Sequence, residues 1–162
     1  MKTVYVRWLG AFAGHHYSLK DSISYEIGRK DEAACEPLAR RNKAMHSGVA
    51  GYGQVGLILA NSAIFREFRK DTWSFYGQDR NKSGRAKKDQ DPSRLYAGKM
   101  NPCSDHAEAW AHMGSAVTAI VVYCGIDELR QDKRNAVLNA AKKYSLPLYK
   151  LTRKGELIRE EV

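Results

Sequence analysis

Apolar and polar positions follow two different periods along the chain, and the pattern is clearest in its last third. Ala116 to Cys124 (AVTAIVVYC) is an almost unbroken apolar run with β-branched residues, as expected of a strand buried on both faces. Gly125 to Asp132 reads as a polar loop, and Lys133 to Tyr144 as a helix with Val137, Leu138, Ala141 and Tyr144 on one side. Ser145-Leu146-Pro147 stops that helix, and Leu148 to Leu151 returns as a short strand. This β–α–β order predicts two parallel strands joined by a right-handed crossover.

Earlier in the chain the pattern is less regular. Lys2 to Leu9 (KTVYVRWL) reads as a first strand, followed by a turn marked by Gly10 and Gly14. Asp31 to Lys43 has helix composition, with Pro37 placing the helix start near residue 36 or kinking it. Gly48, Gly51, Gly53 and Gly56 lead into Leu57–Lys70, where Leu57, Ile58, Ala60, Ile64, Phe65 and Phe68 form a helical stripe. Ser104-Asp105 is an N-cap for a further helix through about Met113, with Ala107, Trp110 and Ala111 on one face. There are no internal repeats. The expectation is a single three-layer α/β domain over 1–162 with a mainly parallel sheet.

Composition agrees with that reading. A chain of 162 residues fits one ordinary domain, and 43% hydrophobic with 28% charged residues excludes collagen-like, disulfide-framework and mostly disordered chains. No apolar run reaches the roughly 18 residues of a membrane helix, so no membrane partner is expected. The N-terminus places Arg7 inside its apolar stretch and lacks a signal-peptide cleavage pattern. Cys35, Cys103 and Cys124 are too scattered for a disulfide framework, which points to a reducing, cytoplasmic setting.

Charge changes the picture more. The chain carries 27 basic and 18 acidic side chains, a formal charge of +9, which implies an anionic partner. Residues 65–99 hold 10 basic and 5 acidic groups, so more than half the excess lies in about a fifth of the chain. Within it, Gln78 to Arg94 (QDRNKSGRAKKDQDPSR) has one apolar residue, Ala86, and no periodicity. We read 78–99 as a long, solvated basic loop insertion, and loops of that length are usually functional or disordered. Trp73, Phe75 and Tyr76 precede it and Tyr96 lies near its end. Arg80, Lys82, Arg85, Lys87 and Lys88 can neutralise phosphates while Trp73, Tyr76 or Tyr96 stacks on bases, the combination a single-stranded nucleic-acid surface needs. The alternative is that the aromatics anchor the loop ends and the charges only keep it soluble.

The last third, with TAIVVYCG, a polar loop and KRNAVLNAAKKYSLPLYKL, resembles the end of SLOG-superfamily domains over residues 104–152. These are Rossmann-like nucleotide binders that include the cytokinin-activating phosphoribohydrolases, and nucleoside 2-deoxyribosyltransferases end in a similar way. The resemblance implies a Rossmann-like fold and a nucleotide or nucleoside pocket at the carboxyl ends of parallel strands. If the chain were an enzyme, it would imply cleavage or transfer at an N-glycosidic bond. The loop after the strand, Gly125 to Lys133, carries one glycine among Asp127, Glu128 and Asp132, unlike the glycine-rich loops of those families.

Candidate ligand residues fall on three glycine-bearing segments. Gly10, Gly14, His15 and His16 follow the first strand, and the histidines can contact phosphate or act as acid or base. Gly51-Tyr52-Gly53-Gln54-Val55-Gly56 is a literal G-x-G-x-x-G expected to open a helix, whose glycines would let backbone N–H groups approach an anion. Gly125 and Asp127 lie at the expected ligand end of the sheet, where Asp127 can bind ribose hydroxyls. Cys103, His106 and His112 raise zinc, but the histidines diverge on a helix and no C-x-x-C is present, so no metal and no cofactor is expected. No catalytic motif is found. The expected partner is therefore a nucleotide-type small molecule, with nucleic acid and an acidic protein surface as alternatives.

Overall fold

The computed structural model describes residues 3–9, 18–38, 53–67 and 109–161, and these form one mixed α/β framework. In chain order it comprises β1 (Tyr5–Trp8), α1 (Leu19–Gly28), β2 (Glu32–Pro37), β3 (Val55–Leu59), a 3₁₀ turn (Asn61–Ala63), β4 (Ile64–Glu67) and β5 (Ala109–His112). It continues through β6 (Val117–Tyr123), a second 3₁₀ turn (Ile126–Glu128), α2 (Gln131–Lys143), β7 (Leu148–Leu151) and β8 (Leu157–Glu160). The strands make one eight-stranded sheet in the order β4-β5-β2-β1-β3-β6-β7-β8.

The mainly parallel, Rossmann-like sheet expected from the sequence is not what forms. Among these strands only β6 and β7 pair in parallel, and every other neighbouring pair is antiparallel. The parallel pair is the one read from the sequence, with Ile120 opposite Leu148 and Tyr123 opposite Leu151. Three segments read as helical are strands instead. The stretch after Asp31 is β2, the stretch from Leu57 belongs to β3 and β4, and the stretch before Met113 is β5. In each, residues distant in sequence supply ladder partners that outweigh local helix propensity, as where Cys35 lies opposite Ala109. Nor does the G-x-G-x-x-G run open a helix, because Val55 and Gly56 are the first residues of β3.

Both helices pack on one face, so the described residues form two layers rather than three. Ile23 of α1 and Val137, Ala140 and Ala141 of α2 share a buried cluster with Val55, Leu57, Ile120, Val122 and Leu148. Helix α1 starts at Ser18, whose hydroxyl accepts from the Asp21 amide at 3.2 Å. The two helices are tied where Tyr144 Oη donates to Ser24 Oγ at 3.1 Å. On the opposite face, Val6, Trp8, Ile58, Ala119, Val121 and Leu151 form a second buried cluster.

The β4-β5-β2 wing curls toward the helix-bearing side. β1 and β2 pair only at Tyr5–Pro37 and Val6–Glu36, after which they part. Ala33, Cys35, Ala109, Ala111 and Met113 of the wing then join Tyr5 and Leu59 in one apolar cluster. Arg7 fills the opening, with Nη1 donating to the Ala34 carbonyl at 2.7 Å. No helix among the described residues is long and apolar enough to cross a membrane.

Candidate functional site

Strand geometry brings together the described residues that flank the three glycine-bearing segments. β1 runs into Gly10 just past Leu9, and the Leu9 amide donates to the Val55 carbonyl at 2.8 Å. Beside it, the Tyr123 amide at the end of β6 donates to the Gln54 carbonyl at 2.7 Å. The end of β1, the start of β3 and the end of β6 are therefore neighbours, and Gly53 and Gly125 sit at that junction with φ of 75° and 94°. Gly10, Gly14, His15, His16 and Gly51 lie outside the described residues, but their chain segments attach here.

The loop after β6 is closed by its own residues. It folds back over the sheet, burying Leu129 in the helix-side core. A Cβ on Gly125 would lie 2.8 Å from Lys150 Cδ and 3.1 Å from Glu160 Oε1. The Ile126 amide, which an anion would need, donates instead to Glu160 Oε1 at 3.2 Å. The Glu128 and Leu129 amides are used within the turn, by the carbonyls of Gly125 and Ile126. The Arg134 guanidinium spans the other side, donating to the carbonyls of Ile126, Asp127 and Leu129 at 3.2, 3.3 and 3.4 Å. Asp127 itself is exposed on the turn. A carboxylate thus stands where a phosphate oxygen would have to go.

Two residues the sequence reading passed over organise the framework's polar interior. Glu26, without solvent exposure, accepts from Arg7 Nε at 2.8 Å and from Arg29 Nη1 at 3.0 Å. Arg29 also grips Asp31, with Nε to Oδ1 at 2.5 Å and Nη2 to Oδ2 at 3.0 Å. Burial pushes the Glu26 carboxyl upward, but its bonds and attraction to Arg7 and Arg29 prevail and hold it below the usual carboxylate range. The signal was legible in outline: Ser18 with Asp21 marks the helix start, and Glu26 lies on the same face as Ile23. His112 is on strand β5 rather than on a helix, stacked on Phe65 with ring centroids 4.2 Å apart. Among the described residues no group of His, Cys, Asp or Glu is arranged to hold a metal ion.

The remaining candidates, Trp73, Tyr76, Arg80, Lys82, Arg85, Lys87, Lys88 and Tyr96, lie outside the described residues. Where their segment attaches is nonetheless defined. β4 ends at Glu67 opposite Ala109, where β5 begins, and Ala109 lies opposite Cys35 near the end of β2. The connection 68–108 therefore leaves and returns at one point, beside the end of β2 from which 39–52 departs after Leu38.

Charge separates along the same lines. The described residues hold 14 basic and 12 acidic side chains, a net +2; of the remaining +7, Lys2 carries +1 and the connecting segments +6. The connection 10–17 has no Lys, Arg, Asp or Glu, whereas 39–52 and 68–108 each carry a net +3. No protein-family model, curated protein or solved structure matches the chain in the three comparisons made.

Proposed function

We propose that the chain binds nucleic acid through its basic connections, with the nearly neutral α/β framework as their support. The observation that carries this reading is the placement of charge: the connection 39–52 departs from the end of β2 beside the point where 68–108 leaves β4 and returns to β5, and each carries a net +3. Adding like charges in neighbouring segments opposes compaction unless a polyanion neutralises them, and phosphate backbones do so with release of counterions. Trp73, Tyr76 and Tyr96 on the longer connection supply ring faces for unpaired bases, which favours a single strand over a duplex. No catalytic step is part of the proposal.

The test is titration of a labelled single-stranded oligonucleotide at several salt concentrations. For about five phosphate contacts, affinity should fall roughly a hundredfold between 50 and 200 mM salt. Replacing Lys82, Arg85, Lys87 and Lys88 together by Ala should lower affinity and flatten that dependence. Absence of binding at low salt, or a flat salt response, would sink the proposal.

A second reading, a nucleotide or nucleoside-type ligand at the junction of β1, β3 and β6, is favoured by the Leu9–Val55 and Tyr123–Gln54 hydrogen bonds. Those bonds set Leu9, which precedes Gly10, Gly14, His15 and His16 in the chain, beside Gln54, which follows Gly51 and Gly53. It ranks lower because the parallel strand ends that would frame such a pocket reduce to one pair, and Glu160 already holds the Ile126 amide. A rise in melting temperature with a nucleotide, without any oligonucleotide binding, would reverse the ranking.

A further inference from the structure

We infer that β8 is a self-pairing edge, through which two copies of this chain join their sheets antiparallel about a two-fold axis. β8 is terminal in the strand order and pairs with β7 alone among the described strands. Its side chains are unusually open for a strand, with Ile158 44% exposed, Arg159 exposed, and Glu161 exposed just beyond it. Two of its four residues, Arg159 and Glu160, are charged, and charges on an exposed edge restrict which strand can add to it.

The hairpin defines which main-chain groups point outward. The Thr152 amide donates to the Glu156 carbonyl, the Gly155 amide donates back to the Thr152 carbonyl, and Gly155 has φ of 90°. That is a three-residue hairpin loop with a left-handed glycine, which makes Thr152 and Glu156 a hydrogen-bonded pair. Alternation along the antiparallel ladder then turns the N–H and C=O of Ile158 and Glu160 toward β7 and those of Leu157 and Arg159 outward, and the same alternation continued one residue past the ladder turns those of Glu161 outward.

Charge selects the occupant and the register. Among the outward residues, Arg159 and Glu161 are oppositely charged and two positions apart, so an identical antiparallel strand can set each Arg159 opposite the other copy's Glu161. Glu160 then lies on the axis facing its own copy, but its carboxylate is turned inward to the Ile126 amide. Sliding the register by one pair of residues would set Arg159 against Arg159. A β-edge of this length is short for a stable interface, so the dimer is weak and depends on concentration.

Analytical ultracentrifugation of the full chain over a micromolar to millimolar range tests this. A monomer–dimer equilibrium is expected, and a monomer throughout overturns the inference. Arg159→Pro removes an outward N–H and leaves the ladder bonds to β7 in place, but it also removes the guanidinium from over the Tyr149 ring, so it should abolish the dimer with only a small fall in melting temperature, matched by the Arg159→Ala control. Arg159→Glu should weaken association about tenfold or more, and Arg159→Glu with Glu161→Arg should restore it. A dimer indifferent to these changes, or a double variant that fails to recover, overturns the β8 register.

Discussion

Arg7 Nε donates to Glu26 Oε1 at 2.8 Å, joining the middle of β1 to a carboxylate of α1 that has no solvent exposure. Arg29 holds the same carboxylate from the other side, at 3.0 Å. Glu26→Gln preserves the shape of this arrangement but removes the carboxylate charge that Arg7 opposes and leaves Arg29 with Asp31 alone. We expect a loss of about 2–4 kcal/mol in urea unfolding at neutral pH.

The same pair carries a pH dependence with a defined sign. Because Arg7 and Arg29 hold the Glu26 carboxyl below its ordinary value, its contribution is fully present above that ordinary carboxylate value and is lost as pH falls through the lower folded value. Asp31 is also held low, by its hydrogen bonds from Arg29, and acts in the same direction. Between pH 5 and pH 3 the wild-type chain should lose more stability than Glu26→Gln. Parallel losses in the two proteins would contradict the assignment.

What the sequence made legible follows from the length of each element. The seven residues of β6 and the thirteen of α2 are long enough for one period to dominate, and both were read correctly, as was the parallel return to β7. β2, β4 and β5 span six, four and four residues, and alanine in β2 and β5 mimics helix composition. In Glu32–Pro37 and Ala109–His112 the alternation is present, since Ala33, Cys35, Ala109 and Ala111 are buried and their neighbours are not. It could not be recognised without knowing that Cys35 meets Ala109 across the sheet. The Glu160–Ile126 bond was equally out of reach, because it joins the turn after β6 to the last residue of β8, which reaches it only through the pairings of β7 with β6 and β8.

Gly56 is required by its cross-strand partner. Opposite Trp8 on β1, a Cβ at this position would lie 2.8 Å from Trp8 Cε3 and 2.6 Å from Val6 Cγ2. Gly56→Ala should therefore cost about 1–3 kcal/mol despite the better strand propensity of alanine. Adding Val6→Ala relieves the closer contact, so the double variant should be more stable than the sum of the single losses predicts.

Gly125 is constrained by its backbone more than by its neighbours. Its φ of 94° with ψ of 164° is a conformation essentially reserved for glycine. Gly125→Ala should lower stability by about 1–3 kcal/mol. Lys150→Ala removes the nearest atom, Cδ at 2.8 Å, yet should restore little, because the strain lies in φ rather than in the flexible side chain.

If the basic connection serves binding rather than folding, its most polar part should be replaceable. Gln78–Arg94 carries six basic and three acidic residues and a single apolar one, so it offers the core almost nothing to bury. The connection to which it belongs is closed at its base, since Glu67 and Ala109 are already ladder partners. A Gly-Ser replacement of equal length leaves the closure entropy of the connection nearly unchanged. Thermal unfolding should then stay within about 0.5 kcal/mol of the wild-type chain. Oligonucleotide affinity should collapse, and the residual salt dependence should shrink by roughly 0.7 in log–log slope for every phosphate contact removed. Unchanged affinity in this variant would move the nucleic-acid surface away from 78–94 and leave Arg40, Arg41 and Lys43 of the neighbouring connection as the next group to replace.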